Sequence, residues 1–335
     1  MNIKWFKVKW KRFLLVVMAG VVMTATMTNR TTRESVISYA SPGDTTGSES
    51  EPFFPDFPNQ TRIGKPAEIP RRFLVEEADA CLRAGDDVEV VAYVHSAISR
   101  VEQRRQTRLT WASADTPKMV VVFMVGRAKN DEEREILRRE SELYHDIVQG
   151  DYGDHYNLLS YKALNALYWV TRNCPHVPWT LHVDDDLLID TFMLQKFIEE
   201  YDNSRVRDMF HCRLLAKLRV LRKGRWRVSR REMSFRRYPP FCQGTMWLLP
   251  TKEVPRLLEA VPFVKYLWVD DAYVTGMLAK KARLKISPIP INRFGVSKYS
   301  DEDIGEKVAW FHVHNRTFTD LWPLILDHYN ATYTL

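Results

Sequence analysis

Glycine is scarce in this chain, 13 of 335 residues, and no Gly-x-x-x-x-Gly-Lys-Ser/Thr run occurs, so no backbone cradle for phosphates can be read from it. Cysteine is scarcer still: Cys81, Cys174, Cys212 and Cys242 are spaced too widely for a metal-ligand pattern. They form an even set with three possible pairings in an oxidising compartment, or they remain small buried hydrophobes. No internal repeat is apparent. What the chain does have is 45% hydrophobic and 12% aromatic residues, enough to bury a substantial core, which excludes disorder throughout.

The formal charge of +7 would allow nucleic-acid binding, but the basic residues concentrate in two places, the extreme N-terminus and residues 213–237. Lys4, Lys7, Lys9, Lys11 and Arg12 precede an uncharged run from Phe13 to Thr28. As a helix this run spans about 24 Å, near what a thin early-secretory membrane accepts. Basic residues before such a span hold the N-terminus in the cytosol and send the rest into the lumen. A cleaved signal peptide is the competing reading, since small residues such as Ala25 sit near its end. Behind such an anchor the second basic stretch, 212–238, never meets nucleic acid. It reads as a solvated loop near an acceptor cleft, facing anionic lipid or glycan, with Trp226, Phe235 and Tyr238 set among its arginines. Lumenal placement also gives meaning to glycan acceptor sequons at Asn59, Asn315 and Asn330.

The expected order is a cytosolic tail (1–12), a membrane anchor (13–28), a lumenal stem (29–85) rich in Ser, Gly, Pro and acidic residues, and a folded domain (86–335). From residue 86 strand and helix patterns alternate. Strands are expected at 87–96, 119–126 and 146–149, and helices at 130–146 and 155–172, the second leading into the strand WTLHV. Such alternation argues for an α/β fold with a mostly parallel sheet covered by helices.

That last strand runs into three adjacent carboxylates, Asp184, Asp185 and Asp186. Like charges about 4 Å apart repel by roughly 4 kcal/mol at an effective dielectric near 20, so solvent or a cation must relieve them. In open α/β sheets ligands bind beyond the carboxyl ends of the strands, where these aspartates lie. If the strand geometry persists, Asp184 and Asp186 share one face, and two carboxylates on one face suit a hard divalent cation that keeps positions open for phosphate oxygens.

Further blocks are specific together. HSAISRVEQRRQTRLTWA carries Arg104, Arg108, Thr110 and Trp111; YHDIVQGDYGDHYNLLSYKALNALYW carries Asp146, Asp151, Asp154, Tyr156, Asn157, Leu158, Lys162 and Trp169; then come HVDDD, YPPFCQG (238–244) and VDDAYVTG (269–276). In content and order these blocks resemble the β1,3-glycosyltransferases, which include β1,3-galactosyl- and β1,3-N-acetylglucosaminyltransferases, over roughly residues 90–320. Departures are Leu159 for a usual Thr, His182 for a frequent Lys, Asp270 for a frequent Glu and Ala272 for Val; Gln243 and Trp247 also differ from the commoner residues of their turn. None removes a carboxylate that the chemistry needs.

The resemblance implies a GT-A, nucleotide-diphospho-sugar transferase fold and a Golgi type II membrane enzyme. Such an enzyme transfers galactose or an N-acetylhexosamine, with inversion, from a UDP-sugar to the 3-hydroxyl of an acceptor sugar on glycolipid or glycoprotein. It implies Mn²⁺, or Mg²⁺, on Asp186 and Asp184, with His314 of FHVHNRT as a further ligand and His312 as its rival. Asp271 is the expected base and Asp270 the alternative, because an acidic pair at a helix start also serves as a cap. Asp185, Arg104, Arg108, Asp154 and Lys162 are expected donor contacts. A catalytically silent glycan-binding protein on the same fold is the rival of another class, and a metal-dependent phosphohydrolase a third reading.

Overall fold

The run Val90–His95 has no polar face, and all six of its residues are buried, as a strand in the middle of a sheet covered on both sides must be. In the computed structural model, which describes residues 66–296, 303–311 and 317–331, it forms the second of eleven strands. These are β1 (Phe73–Val75), β2 (Val90–His95), β3 (Met119–Arg127), β4 (Ile147–Gly153), β5 (Trp179–Asp184), β6 (Leu187–Ile189), β7 (Phe210–Leu215), β8 (Phe241–Pro250), β9 (Ile286–Pro288), β10 (Phe294–Val296) and β11 (Ala309–Phe311). Eight make one sheet in the order β1-β4-β3-β2-β5-β8-β7-β9. Its centre, β4-β3-β2-β5, is parallel, while β1 and β8 join antiparallel on either side.

Alternation along β2 divides the core between the two faces. Val91 and Tyr93 pack into one apolar cluster with the helix Leu159–Asn173, whereas Val90, Ala92 and Val94 pack into the other with the helix Thr191–Asp202. The charged segment after β3 is helical over Asp131–Tyr144 because Asn130 accepts the Glu133 N–H at 2.8 Å and three acids fill the first turn. A second small sheet, β10-β11-β6, pairs Phe311 with Leu187, directly after the three aspartates.

The fold begins earlier than residue 86. β1 pairs with β4, Trp169 Nε1 donates to the Glu76 carbonyl at 2.5 Å, and Asn165 donates to the Pro70 carbonyl at 2.7 Å. Cys81 is bonded to Cys174, so residues 66–85 belong to the folded unit rather than to a stem. The other disulfide joins Cys212 to Cys242, which settles a pairing that spacing left open. The expected tail and anchor, Asn59 and Asn315 lie outside the described residues; among those described, no helix is long and apolar enough to cross a membrane. Asn330 is described and exposed just beyond the helix Phe318–His328.

Candidate active site

Two neighbouring parallel strands, β2 and β5, end together at the site. β2 closes on His95, which stands in register with Asp184 at the end of β5, and Tyr93 stands in register with His182. β5 stops at Asp184, and Asp185 and Asp186 form the turn into β6. The three carboxylates therefore do not follow strand alternation, yet they still separate. Asp185 turns inward, where Ser96 Oγ and Arg100 Nε donate to it at 2.7 and 2.8 Å and a second Arg100 nitrogen lies at 2.7 Å. Asp184 and Asp186 stay partly exposed.

The second acidic pair arrives from far along the chain. Asp270 and Asp271 begin the wide π-helical turn Ala272–Leu278, an irregularity that often marks functional positions. Asp270 Oδ2 lies 3.6 Å from His95 Nδ1. Asp271 accepts its neighbour's Ala272 N–H at 2.6 Å, so it does cap the turn, and its side chain lies against Gly244 of β8. Gly244 permits that approach: a methyl group there would sit 3.3 Å from Asp271 Cβ.

Burial, followed by the charges of Asp186, Asp270, Asp185 and Asp271, pushes the Asp184 carboxyl well above the ordinary carboxylate range. With 41% of this side chain exposed, water tempers the burial contribution, and the convergence of like charges is the sturdier cause. Burial raises Asp270, and burial and then the Asp270 charge raise Asp271 to about 8. The imidazoles behind them move the other way. Burial lowers His182 to about 4, while burial, then His182 and Lys162, hold His95 well below its usual value. Both rings are thus neutral at pH 7, the state that offers a lone pair to a cation.

These groups fit a divalent cation on two structural grounds. One ligand atom each of His95, His182 and Asp184 lies within 4.8 Å of the others. In addition, both ring nitrogens of His95, Nδ1 of His182 and the Tyr93 hydroxyl are buried without a hydrogen-bond partner, a state that proteins rarely leave uncompensated. His182 Nε2 donates to the Gly244 carbonyl at 2.7 Å, which leaves Nδ1 as its lone pair.

A carboxyl raised on folding binds more protons in the native state, so stability of the metal-free protein rises as pH falls from about 8 toward 6.5. Below about 6.5 the lowered imidazoles oppose this, because they must stay neutral while the unfolded ones charge. Thermal unfolding of chelated protein should show a higher midpoint near pH 6.5 than near pH 8, with the difference reduced by Mn²⁺; a flat profile would remove the charge-convergence argument.

The remaining expected contacts are placed differently. Arg104 is wholly buried, its guanidinium bidentate on Glu140 at 2.7 and 2.7 Å and donating to the Ala97 and Ile98 carbonyls at 2.6 and 3.1 Å. Arg108 grips Asp146 at 2.6 and 2.8 Å and lies over the Tyr144 and Phe123 rings. Lys162 and Asp154 form a buried ion pair at 2.8 Å; Lys162 also donates to the Ser96 carbonyl, and Asp154 accepts the Ile98 N–H at 3.0 Å. Arg104, Asp154 and Lys162 hold the loop after β2 from behind, and Arg108 reaches that loop only through Glu140; the structure engages all four with protein groups. Their charge invited the donor assignment, but charge alone carries no information about direction. Asp185 likewise is occupied by Arg100 and Ser96. His314 and His312 lie outside the described residues.

The sequence reading missed His95 and Arg100 altogether and noted His182 only as a departure. Arg100 keeps 39% of its side chain exposed while it pairs with Asp185 beside the aspartates. The signal for it was the strand-to-loop junction HSAISR, one turn before the arginines that drew notice.

The galactosyltransferase family pattern matches residues 102–290, more than half of the chain. The chain belongs to the galactosyltransferase family. It is similar to human beta-1,3-galactosyltransferase 2 at 26% identity over 239 residues, covering 69% of this chain and 56% of the relative. It also resembles beta-1,3-galactosyltransferase 5 of Pan paniscus, at 26% over 247 residues (70% and 80%). UDP-GalNAc:beta-1,3-N-acetylgalactosaminyltransferase 1 of Mus musculus matches at 28% over 222 residues (61% and 62%). The match therefore spans little more than half the length of the first of these relatives. A solved mannosyltransferase of Pyrobaculum calidifontis, in complex with GDP-Man and Mn²⁺, overlaps at TM-score 0.37 and 15% identity over 61% of this chain and 55% of that one, a likeness too loose to carry an argument.

Proposed function

We propose that this galactosyltransferase-family chain is an inverting, metal-dependent β1,3-glycosyltransferase on a GT-A fold. It moves galactose or an N-acetylhexosamine from a UDP-sugar to the 3-hydroxyl of an acceptor sugar. The observation that carries the reading is the meeting of two acidic groups from distant parts of the chain, Asp184 and Asp186 after β5 and Asp270 and Asp271 at the π-helical turn, at one carboxyl edge of a parallel sheet.

Asp184 and Asp186 would hold the cation, with His95 as the unpartnered imidazole beside them; Mn²⁺ suits a mixed carboxylate and imidazole set better than Mg²⁺ does. His314, the further ligand that the family resemblance implies, completes the proposed set. A bound divalent cation supplies positive charge to the departing diphosphate. Arg100, held by Asp185, adds a fixed guanidinium on the same side. Asp271 takes the proton from the attacking hydroxyl, and its raised carboxyl is matched to that task near neutral pH.

Tyr156 and Trp226 are 40% and 42% exposed, and Trp268 lies 6.1 Å from the Tyr156 ring. Trp268 stands two residues before Asp270 in the chain, which sets this aromatic shelf beside the second acidic pair, where a sugar ring can stack. The two disulfides, the exposed Asn330 and the basic-then-apolar N-terminus support a Golgi type II enzyme with a lumenal catalytic domain.

The test is UDP release from UDP-galactose and UDP-N-acetylhexosamines, with and without β-linked acceptor sugars. Release that requires acceptor, falls at least about tenfold with chelator and returns with Mn²⁺ is expected. Acceptor-independent release would mean a hydrolase, and saccharide binding without release a lectin.

A further inference from the structure

The basic stretch 212–238 holds eleven Lys and Arg residues and a single acid, Glu232, and the chemistry above uses none of them. Glu232 neutralises little, since it is committed to its own turn, accepting the Ser229 N–H at 2.7 Å. The segment folds back on itself: Val220 N–H donates to the Arg236 carbonyl and Tyr238 N–H to the Leu218 carbonyl, both at 3.0 Å. That ribbon sets Arg219 directly opposite Arg237. Like charges in such a cross-strand pair oppose folding.

Together with Arg222, Arg230 and Arg236 these two line a surface cavity of about 430 Å³. Arg222 is partly spent on the Val228 and Phe235 carbonyls, at 2.8 and 2.6 Å, and Arg237 on the Lys217 carbonyl. Arg219, Arg230 and Arg236 form no side-chain hydrogen bond and no ion pair among the described residues. Five guanidinium groups around one hollow, three of them uncommitted, raise a local positive field that attracts anions.

The cavity also has a fixed relation to the site. Tyr238, at the end of the ribbon, is buried and leads within three residues into β8, whose Gly244 lies against Asp271. From the same loop, Trp226 Nε1 donates to the Tyr156 hydroxyl at 2.9 Å, and Arg225 lies 4.6 Å over the Tyr156 ring. One loop therefore supplies both part of the aromatic shelf and the walls of the basic hollow.

We propose that this hollow is an acceptor subsite for an anionic saccharide, taking a sulfate or uronic carboxylate carried by the acceptor glycan while Tyr156, Trp226 and Trp268 stack its sugar rings. The proposal rests on the transferase reading in placing the acceptor on the Asp271 side. A saccharide is favoured over a phospholipid headgroup because the loop that carries these arginines also carries Trp226, which joins the exposed aromatic shelf through its bond to Tyr156. Guanidinium pairs suit such oxyanions through their two-pronged geometry.

The experiment uses the full chain in detergent and a heparin-derived hexasaccharide as probe, with calorimetric binding read beside UDP binding. In R219Q/R230Q/R236Q, hexasaccharide affinity should fall at least tenfold while UDP affinity holds, and the wild-type affinity should weaken with added salt. With a sulfated and an unsulfated β-linked acceptor, the same variant should raise KM for the sulfated one alone and leave kcat unchanged. Unchanged hexasaccharide binding in the variant overturns the proposal. So does a wild-type chain that binds phosphatidylserine vesicles and ignores the saccharide, or a KM rise equal for both acceptors. The binding arm needs no turnover, so saccharide bound without sugar transfer would count against the transferase reading and leave the anion site standing.

Discussion

Asp271→Asn is expected to abolish sugar transfer, by about 10³-fold in kcat, while UDP binding and the unfolding midpoint stay close to wild type. The amide is nearly isosteric with the carboxylate, and its oxygen can still accept the Ala272 N–H that caps the π-helical turn. What it cannot do is take a proton. The neighbouring Asp270→Asn should cost much less in kcat, because Asp270 faces His95 and not β8. Single-turnover transfer and UDP titration of both variants decide the matter. Full loss in Asp270→Asn with activity kept in Asp271→Asn would exchange the two roles, and loss of UDP binding in Asp271→Asn would make that residue a donor or structural group.

Arg104→Ala is expected to destabilise the protein by about 3 kcal/mol, because it removes the bidentate partner of a buried carboxylate and leaves Glu140 with the single contact from Arg108 at 2.8 Å. Arg104 and Arg108 together hold Glu140 below the ordinary carboxylate range against its burial, and the lost arginine would also release the Ala97 and Ile98 carbonyls. Denaturant unfolding measures the first effect. Arg104→Met combined with Glu140→Leu should recover a large part of the loss, since matched apolar groups replace a buried ion pair at little cost. A donor contact predicts the reverse pattern, a raised KM for the UDP-sugar with unchanged stability, and that pattern would restore the role inferred from sequence.

The difference between these two residues shows how far the sequence could be read. β2, β3, β4 and β5 and the two helices that follow β3 and β4 were legible, because apolar periodicity and end caps act within a few residues. The three aspartates could be placed at a strand end for the same reason, and their mutual repulsion follows from adjacency alone. Asp271 was reachable through family resemblance, although its contact with Gly244 was not. Local pattern could not say which way Arg104, Arg108, Asp154 and Lys162 point, since a charged residue reads alike whether it meets a ligand or a buried partner.

By itself, then, the sequence determined the alternating α/β order, the acidic strand end, the even cysteine set and the basic loop, all properties of neighbours along the chain. Tertiary structure alone decided that Cys81 meets Cys174, that His95 and His182 stand behind Asp184, and that Arg100 holds Asp185. It also turned two runs of arginines into the walls of one hollow. Each of these is a meeting of residues distant in sequence, and such meetings are fixed by sheet order and strand register.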